Sequence, residues 1–311
     1  MGFGGGLWES AIVRFHPSGK VNVMLGICPH GQGERTTFAQ IVSDQLGVPI
    51  DDIEIHYGDT ERTPMGWGSY GSRSTPVGSG ALMSAIQKVK DKARIVTAHL
   101  LEAAVEDIEY ADGKFFVRGA PAKSKTIQEV ALMANVAWNY PKGLEPGLEA
   151  SAFWDPPNFV YPFGSHIAVV RVDAETGEIH LDRYIAVDDC GKVINPMIVN
   201  GQVHGGVAQG VAQALWEGAA YDEGGHLVTA SMMDYAVPKA EFFPDFELGV
   251  TETPTTVNPL GVKGVGETGT IASTPAVINA VVDALSPYGV TDVEMPAKPE
   301  RVWAAIQEAK R

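Results

Sequence analysis

Cysteine is nearly absent: the 311 residues hold two, Cys28 and Cys190, far apart in the chain. One disulfide could join them, yet a chain of this size does not need one, and two reduced thiols in a cytoplasmic protein is the expectation. No Cys-x-x-Cys pair and no His/Cys cluster has metal-ligand spacing, so neither zinc nor an iron–sulfur centre is expected on this chain. Positive charge is also scarce: 23 Lys and Arg stand against 38 Asp and Glu, a formal charge of −15. An acidic chain with no basic stripe is a poor partner for nucleic acid. No apolar run approaches the roughly 18 residues of a membrane span. Met1–Gly6 show neither a basic nor an apolar region, so no signal peptide is expected there. A P-loop and a strand–GxGxxG–helix fingerprint are both missing, which argues against an ordinary nucleotide-binding protein.

What is present is apolar residues, at 45% of the chain, with 35 glycines and 20 prolines. That length and apolar content suit two domains with real cores. Strand-like runs at 10–15 and 20–27 are joined by Pro17-Ser18-Gly19 as a hairpin. Phe38, Ile41, Val42 and Leu46 fall at helical spacing and Gly47 follows as a stop. A second helical face runs through Leu82, Ile86, Val89, Ala93, Val96 and Leu100, with Thr75 as N-cap and Pro76 in its first turn. Hairpin strands are expected at 166–173 and 178–188. Helices are expected from Asn195-Pro196 to about Leu215, from Thr274-Pro275 to Leu285, and from Pro299. Hairpins and helices mix irregularly, which gives an α+β fold of two subdomains with mixed sheets and helices. The Pro- and Gly-containing stretch 140–147 divides them into 1–145 and 146–311.

Glycine-punctuated loops supply the chemistry. They are His30-Gly31-Gln32-Gly33, Gly71-Ser72-Arg73-Ser74-Thr75-Pro76, Asp188-Asp189-Cys190-Gly191 up to Asn195-Pro196, and Gly261 to Gly269. Several lead into helix N-termini, whose unpaired N–H groups suit anions. Arg73 among Ser72, Ser74 and Thr75 has the donors for a phosphate. For any single loop a plain helix start suffices; several in one chain point to a large anionic ligand. Gln202, Gln209 and Gln213 share one face of a helix that also carries Gly201, Gly205, Gly206 and Gly210. That face reads equally as a buried helix with satisfied amides or as the edge of a heterocycle site. Glu267, between Gly266 and Thr268-Gly269, is either an exposed loop residue or, if buried in a pocket, a base with a raised pKa. Cys190 reads best as a small apolar residue at a loop start.

Taken in order, these motifs resemble the molybdenum-binding large subunit of the xanthine dehydrogenase/aldehyde oxidase family. The resemblance rests on 29–33 with 36–41, Gly58-Asp59-Thr60, Tyr70 to Ser74, 188–191 with Asn195-Pro196, Gly201-Gln202 with His204-Gly205-Gly206, and Gly264 to Glu267. It covers nearly the whole chain, and the wording is closest to the aerobic carbon monoxide dehydrogenase large subunits. It implies the fold of a molybdopterin-binding domain and a cytoplasmic molybdenum hydroxylase that oxidises carbon monoxide, an aldehyde or an N-heterocycle with water-derived oxygen. A non-catalytic cofactor-binding or assembly module is the alternative.

The implied cofactor is molybdopterin, as its cytosine dinucleotide, with molybdenum held through the pterin and by no residue directly. Copper is implied only for the carbon monoxide dehydrogenase type. By the same resemblance Gln32 and Gly33 lie near the molybdenum ligands, and Gly71, Ser72, Arg73, Ser74 and Thr75 hold pterin or phosphate. Cys190, Asn195 and Gln202 line the dinucleotide, Lys263, Gly264, Val265 and Gly266 complete the cradle, and Glu267 is the base toward the metal's hydroxyl group. The implied partners are an iron–sulfur subunit with [2Fe–2S] clusters, an FAD subunit, and the earlier half of the large subunit. That half has no counterpart here, as in a fragment or a split subunit. Glu34-Arg35 replaces the His-Glu usual in the carbon monoxide-type group.

Overall fold

The computed structural model describes residues 7–310. The expectation about Met1–Gly6 lies outside them. The backbone forms two units, one comprising the chain up to Tyr161 with 192–195 and 254–264, the other 162–191, 196–253 and the chain from Val265.

In the first unit, β1 (Glu9–Phe15) and β2 (Val21–Leu25) form the expected antiparallel hairpin. β3 (Ile53–His56) adds parallel to β2. Ala11, Val13 and Phe15 alternate with Ser10, Ile12 and Arg14, which turns one sheet face inward, where Ala11, Val13 and Phe15 are at most 2% exposed. Against it pack α1 (Glu34–Leu46) and the long α2 (Ser74–Leu101), whose Leu82, Ile86, Val89, Ala93 and Val96 are all buried. Gly47 ends α1 in the left-handed conformation, as its position after the last periodic residue predicts. A smaller sheet of β4 (Ile108–Ala111), β5 (Lys114–Val117) and β6 (Ala120–Thr126) precedes α3 (Ile127–Val136), which opens on a Thr126–Glu129 capping box.

The expected division at 145/146 runs just ahead of β7 (Leu148–Trp154). That strand pairs antiparallel along the whole of β1, so the first unit reaches Tyr161. The loops at 192–195 and 254–264 also belong to it, so the two units are interleaved in sequence.

In the second unit, β8 (Phe163–Val172) and β9 (Ile179–Asp189) form the expected hairpin, and β10 (Phe246–Thr251) joins β9 in parallel. The inner face of this sheet carries Tyr184 and Ala186 onto α4 (Pro196–Leu215) and α5 (Thr268–Leu285). Val203, Val207 and Val211 of α4 meet Val277, Val281 and Leu285 of α5 in that core, which α6 (Pro299–Ala309) closes with Val302 and Ile306. Between 216 and 230 the described residues form one bridge, Tyr221 with Leu227.

Two helix starts differ from the sequence pattern. α2 begins at Ser74, putting Pro76 in its first turn, where no intrahelical donor is needed. α5 begins at Thr268, well before Thr274-Pro275, so Pro275 lies inside the helix. The extra turns exist because Gly269 seats directly on α4: a Cβ there would lie 2.6 Å from the Val203 carbonyl oxygen. The fold is α+β, and no helix of the described residues is long and apolar enough to cross a membrane.

Candidate functional site

The first unit brings several of the sequence-predicted residues onto neighbouring loops. Between β2 and α1, Gly31 and Gly33 adopt φ of 110° and 81°, a backbone that favours glycine. Gln32, half-buried between them, accepts the His30 N–H on its side-chain oxygen, so the loop turns back on itself. Glu34 follows as the first residue of α1 and is buried to 6% exposure; that burial lifts its carboxyl above the ordinary range, against the pull of its own backbone amide and of His30.

Arg73 does something other than expected. Its side chain is 0% exposed, and its guanidinium donates to the Glu9 carboxylate, to the carbonyls of Gly68 and Leu7 at 2.7 Å each, and to that of Trp8 at 3.2 Å. Glu9, equally buried, also accepts the Trp67 N–H at 2.9 Å, and Ser10 Oγ donates to the Met65 carbonyl at 2.7 Å. The expected phosphate anchor is therefore a neutralised internal cation that pins the 65–72 loop to β1. The glycines Gly26 and Gly66 lie against the Glu9 carboxylate, where any Cβ would collide with it.

The clamp leaves Gly71 and Ser72 as the turn before α2, both at φ 55°, a conformation uncommon for serine and a frequent mark of functional backbone. Ser74 Oγ donates to Ser69 Oγ at 2.6 Å, and Thr75 is half-buried in the first turn of α2. Gly264 lies so close to Ser72 that a Cβ would overlap the serine backbone oxygen. Asn258, 6% exposed, closes that loop: its Nδ2 donates to the Val262 carbonyl at 2.7 Å and its Oδ1 accepts the Val262 N–H at 3.1 Å. Lys263, next in the chain, is half-buried. Asn195 donates from Nδ2 to Gln40 Oε1 of α1 at 2.8 Å.

The second unit holds the other group. Asp189 turns inward at the end of β9, accepting the Gly191 N–H at 2.9 Å and the hydroxyls of Thr253 and Thr251 at 3.0 and 3.2 Å. Cys190 beside it is 4% exposed, and burial with the neighbouring Asp189 carboxylate pushes its thiol up to about 11. A thiol held so high is a poor nucleophile, which fits its reading as a small apolar loop residue.

On α4 the glycines divide by face. Gly206 and Gly210 pack against the start of α5, where a Cβ on Gly206 would lie 2.9 Å from the Thr270 amide nitrogen and one on Gly210 would overlap Ser273 Oγ. Gly201 and Gly205 face open space, with no atom within 4 Å of a built Cβ. Gln202 is half-buried, whereas Gln209 and Gln213 are exposed, so the amide stripe is not a buried one. Val265 packs on the core of this unit, Gly266 is exposed, and Glu267 is the exposed residue that caps α5. Of its two readings, exposed loop residue or buried carboxylate, the structure shows the exposed one.

Glu9, Ser10 and Asn258 were not singled out by the sequence. Asn258-Pro259 is a turn signal that marks the last of them; Glu9 gives no local signal, because its partner lies 64 residues away.

Known proteins share this fold. The chain matches the family described as Molybdopterin cofactor-binding domain over residues 1–244. It is 43% identical to the carbon monoxide dehydrogenase large chain of Hydrogenophaga pseudoflava, over 98% of this chain and 38% of that one. The crystal structure of a Cu,Mo-CO dehydrogenase superposes with a TM-score of 0.93 at 42% identity, covering 98% of this chain and 38% of the other. That of quinoline 2-oxidoreductase from Pseudomonas putida 86 does so at 0.90 and 42%, covering 97% and 38%. The chain thus spans a little over a third of the length of these relatives. With family, fold and loop order in agreement, the chain belongs to the molybdopterin cofactor-binding domain family.

Proposed function

We propose that this chain is the cofactor-binding and catalytic part of a cytoplasmic molybdenum hydroxylase, with Glu267 as the base. The observation that carries the reading is in the second unit. Gly201 and Gly205 leave open space beside Gln202, one turn from the Gly206–Gly269 contact that seats the start of α5 and its capping Glu267. On this reading a ligand edge and the Glu267 carboxylate stand on adjoining helix ends.

The residues present suit a molybdopterin. Amide-type donors and acceptors of the kind a pterin needs are offered by Gln32 in the first unit and, separately, by Gln202 in the second. The cofactor's phosphates need N–H groups and hydroxyls, which within the first unit the turn at Gly71 and Ser72 and the first turn of α2 with Ser74 and Thr75 provide. Lys263 adds a positive charge, which Arg73, neutralised by Glu9, does not. Gly33 and Gly266 keep the backbone bare for close approach, while Gly264 lets its loop seat against Ser72. Cys190 and Asn195 line the nucleotide tail of a cytosine dinucleotide form. The molybdenum group, when bound, supplies the two-electron oxidation of the substrate. Glu267 accepts a proton at its carboxylate as oxygen from water is delivered to the substrate carbon.

The substrate is a small carbon monoxide-, aldehyde- or N-heterocycle-type molecule, as the relatives named for carbon monoxide and quinoline indicate. Electrons leave through partner subunits with [2Fe–2S] clusters and FAD, and a polypeptide equivalent to the remaining part of the relatives' large chain completes the site. Metal and nucleotide analysis of the assembled complex tests this. Molybdenum, pterin and cytidine near one per chain are expected, and copper at the same level only for a carbon monoxide-type enzyme. A complex that assembles with neither molybdenum nor pterin would overturn the proposal.

A further inference from the structure

The sheet of the second unit has two unlike faces. On the inner one, toward α4 and α5, polar groups are matched: His166 on β8 has its Nδ1 2.7 Å from the Tyr184 hydroxyl and its Nε2 3.2 Å from Asp188 Oδ1. The outer face is apolar and open. The register sets Ile167 opposite Ile185 and Ser165 opposite Val187, so Phe163, Ile167 and Val169 of β8 share one surface with Ile185 and Val187 of β9. Phe163 is 55% exposed, Ile167 59%, Val169 41% and Val187 40%. β10 adds no side chain beside Val187, because its residue there is Gly249, where a Cβ would lie 3.2 Å from Val187 Cγ2.

Charge is confined to the far end of this surface. There Arg171 donates to Asp182 at 3.0 Å, and Arg183 makes two 2.9 Å bonds to Glu247. The pairs cancel, so the surface selects neither an acidic nor a basic partner. A hairpin with one face in water alternates apolar and polar residues. Ile167-Ala168-Val169-Val170 and Tyr184-Ile185-Ala186-Val187 do not, which is the pattern of strands covered on both sides. The sheet order β10-β9-β8 also leaves the outer edge of β8 without a neighbouring strand among the described residues. Strand edges left to water are protected by lysine, proline or inward charges. β8 has no lysine, proline or acidic residue, and its one arginine, Arg171, stands near its far end. A contiguous apolar surface of this kind marks a contact with another polypeptide segment.

Length and position identify the occupant. The relatives carry this fold as 38% of a longer chain, so most of the same polypeptide is tethered beside it. Permanent contacts are the apolar ones, whereas electron-transfer partners meet through small, weak interfaces. The face also begins at the proposed site, since Phe163 pairs with Asp189, the residue before Cys190. We propose that the outer face of β8 and β9 seats the polypeptide equivalent to the remaining part of the relatives' large chain, which lays apolar side chains over Phe163, Ile167, Val169, Ile185 and Val187. This rests on the reading that such a polypeptide completes the site.

The test is photocrosslinking in the assembled complex. The probe p-benzoylphenylalanine replaces Phe163 in one variant and Ile167 in another, and the cross-linked peptides are sequenced by mass spectrometry. Both probes should capture peptides of that remaining large-chain part, with adducts to every other subunit at background. Should one variant not assemble, the other decides. Val187→Lys, which a face left to water would tolerate, should cut the yield of assembled complex at least ~tenfold, because it buries an unpaired charge. Adducts to an iron–sulfur or FAD subunit, adducts confined to this chain or a second copy of it, or no adduct would overturn the proposal, as would parental yield of the Val187→Lys complex. The two readings fail separately. A complex that contains the remaining large-chain part but does not cross-link to it from 163 or 167 sinks this docking face alone. A molybdenum-loaded, active complex without any such part sinks the reading beneath it.

Discussion

The Arg73 guanidinium is paired with the Glu9 carboxylate, and neither side chain is reached by solvent. Because the same guanidinium also holds the carbonyls of Gly68, Leu7 and Trp8, one buried cation sets the path of the loop that leads to Ser72 and α2.

Removing that cation should act on stability before it acts on any ligand. Arg73→Ala leaves Glu9 buried without its counter-charge, a change that costs about 3–5 kcal/mol for buried pairs. Urea denaturation of the complex prepared without cofactor should show this loss. Arg73→Lys, which keeps the charge but not the fork, should recover only part of it. Lost cofactor affinity in Arg73→Ala with unchanged stability of the cofactor-free complex would mean that the guanidinium meets the ligand directly.

The glycines of α4 give opposite expectations on its two faces. Gly210→Ala forces a methyl group into Ser273 and should cost about 1–3 kcal/mol as overpacking, more than the helix-propensity gain of roughly 1 kcal/mol. Gly201→Ala and Gly205→Ala meet open space and should stabilise the chain by about 0.4–1 kcal/mol. If that space receives the cofactor, the same two variants should carry less molybdenum despite melting higher. Full molybdenum content in both would place the cofactor elsewhere.

Glu34 makes stability depend on pH. Burial raises its carboxyl above the ordinary value, so the folded state holds the proton more tightly than the unfolded chain. Its contribution is most favourable in acid and is lost as pH rises through the raised value. Glu34→Gln cannot ionise, so its urea midpoint should gain on the parent's between about pH 4 and pH 8. A difference that stays constant across this range, or shrinks with rising pH, would show that the carboxyl is not destabilised by burial.

Much of this architecture is written locally. The hairpin of β1 and β2, the periodic faces of α1 and α2, and the β8–β9 hairpin follow from spacing and turn residues alone. β7 escaped because Leu148-Glu-Ala-Ser-Ala-Phe-Trp carries only alanines at its two middle inward positions, and its assignment depends on pairing with β1 across the chain. The start of α5 escaped because Thr274-Pro275 has the form of a helix start, while the real start is fixed by Gly269 fitting α4. The site shows the same split. Glycine loops stand out locally as candidate ligand loops, whereas the duty of Arg73 depends on a partner 64 residues earlier, and no local pattern reports it. His166 carried no signal because its partners, Tyr184 and Asp188, come from the neighbouring strand.

Glu267 distinguishes a catalytic subunit from a cofactor-holding one. Glu267→Gln keeps the size and polarity at the α5 cap position and removes only the ionisable carboxylate proposed as the base. The decisive measurement is turnover per bound molybdenum in the assembled complex, parent against Glu267→Gln. The expected result is a fall of at least ~100-fold with molybdenum and pterin retained in full, the low end for loss of a general base. Near-parental turnover in a fully metallated Glu267→Gln complex would contradict the assignment.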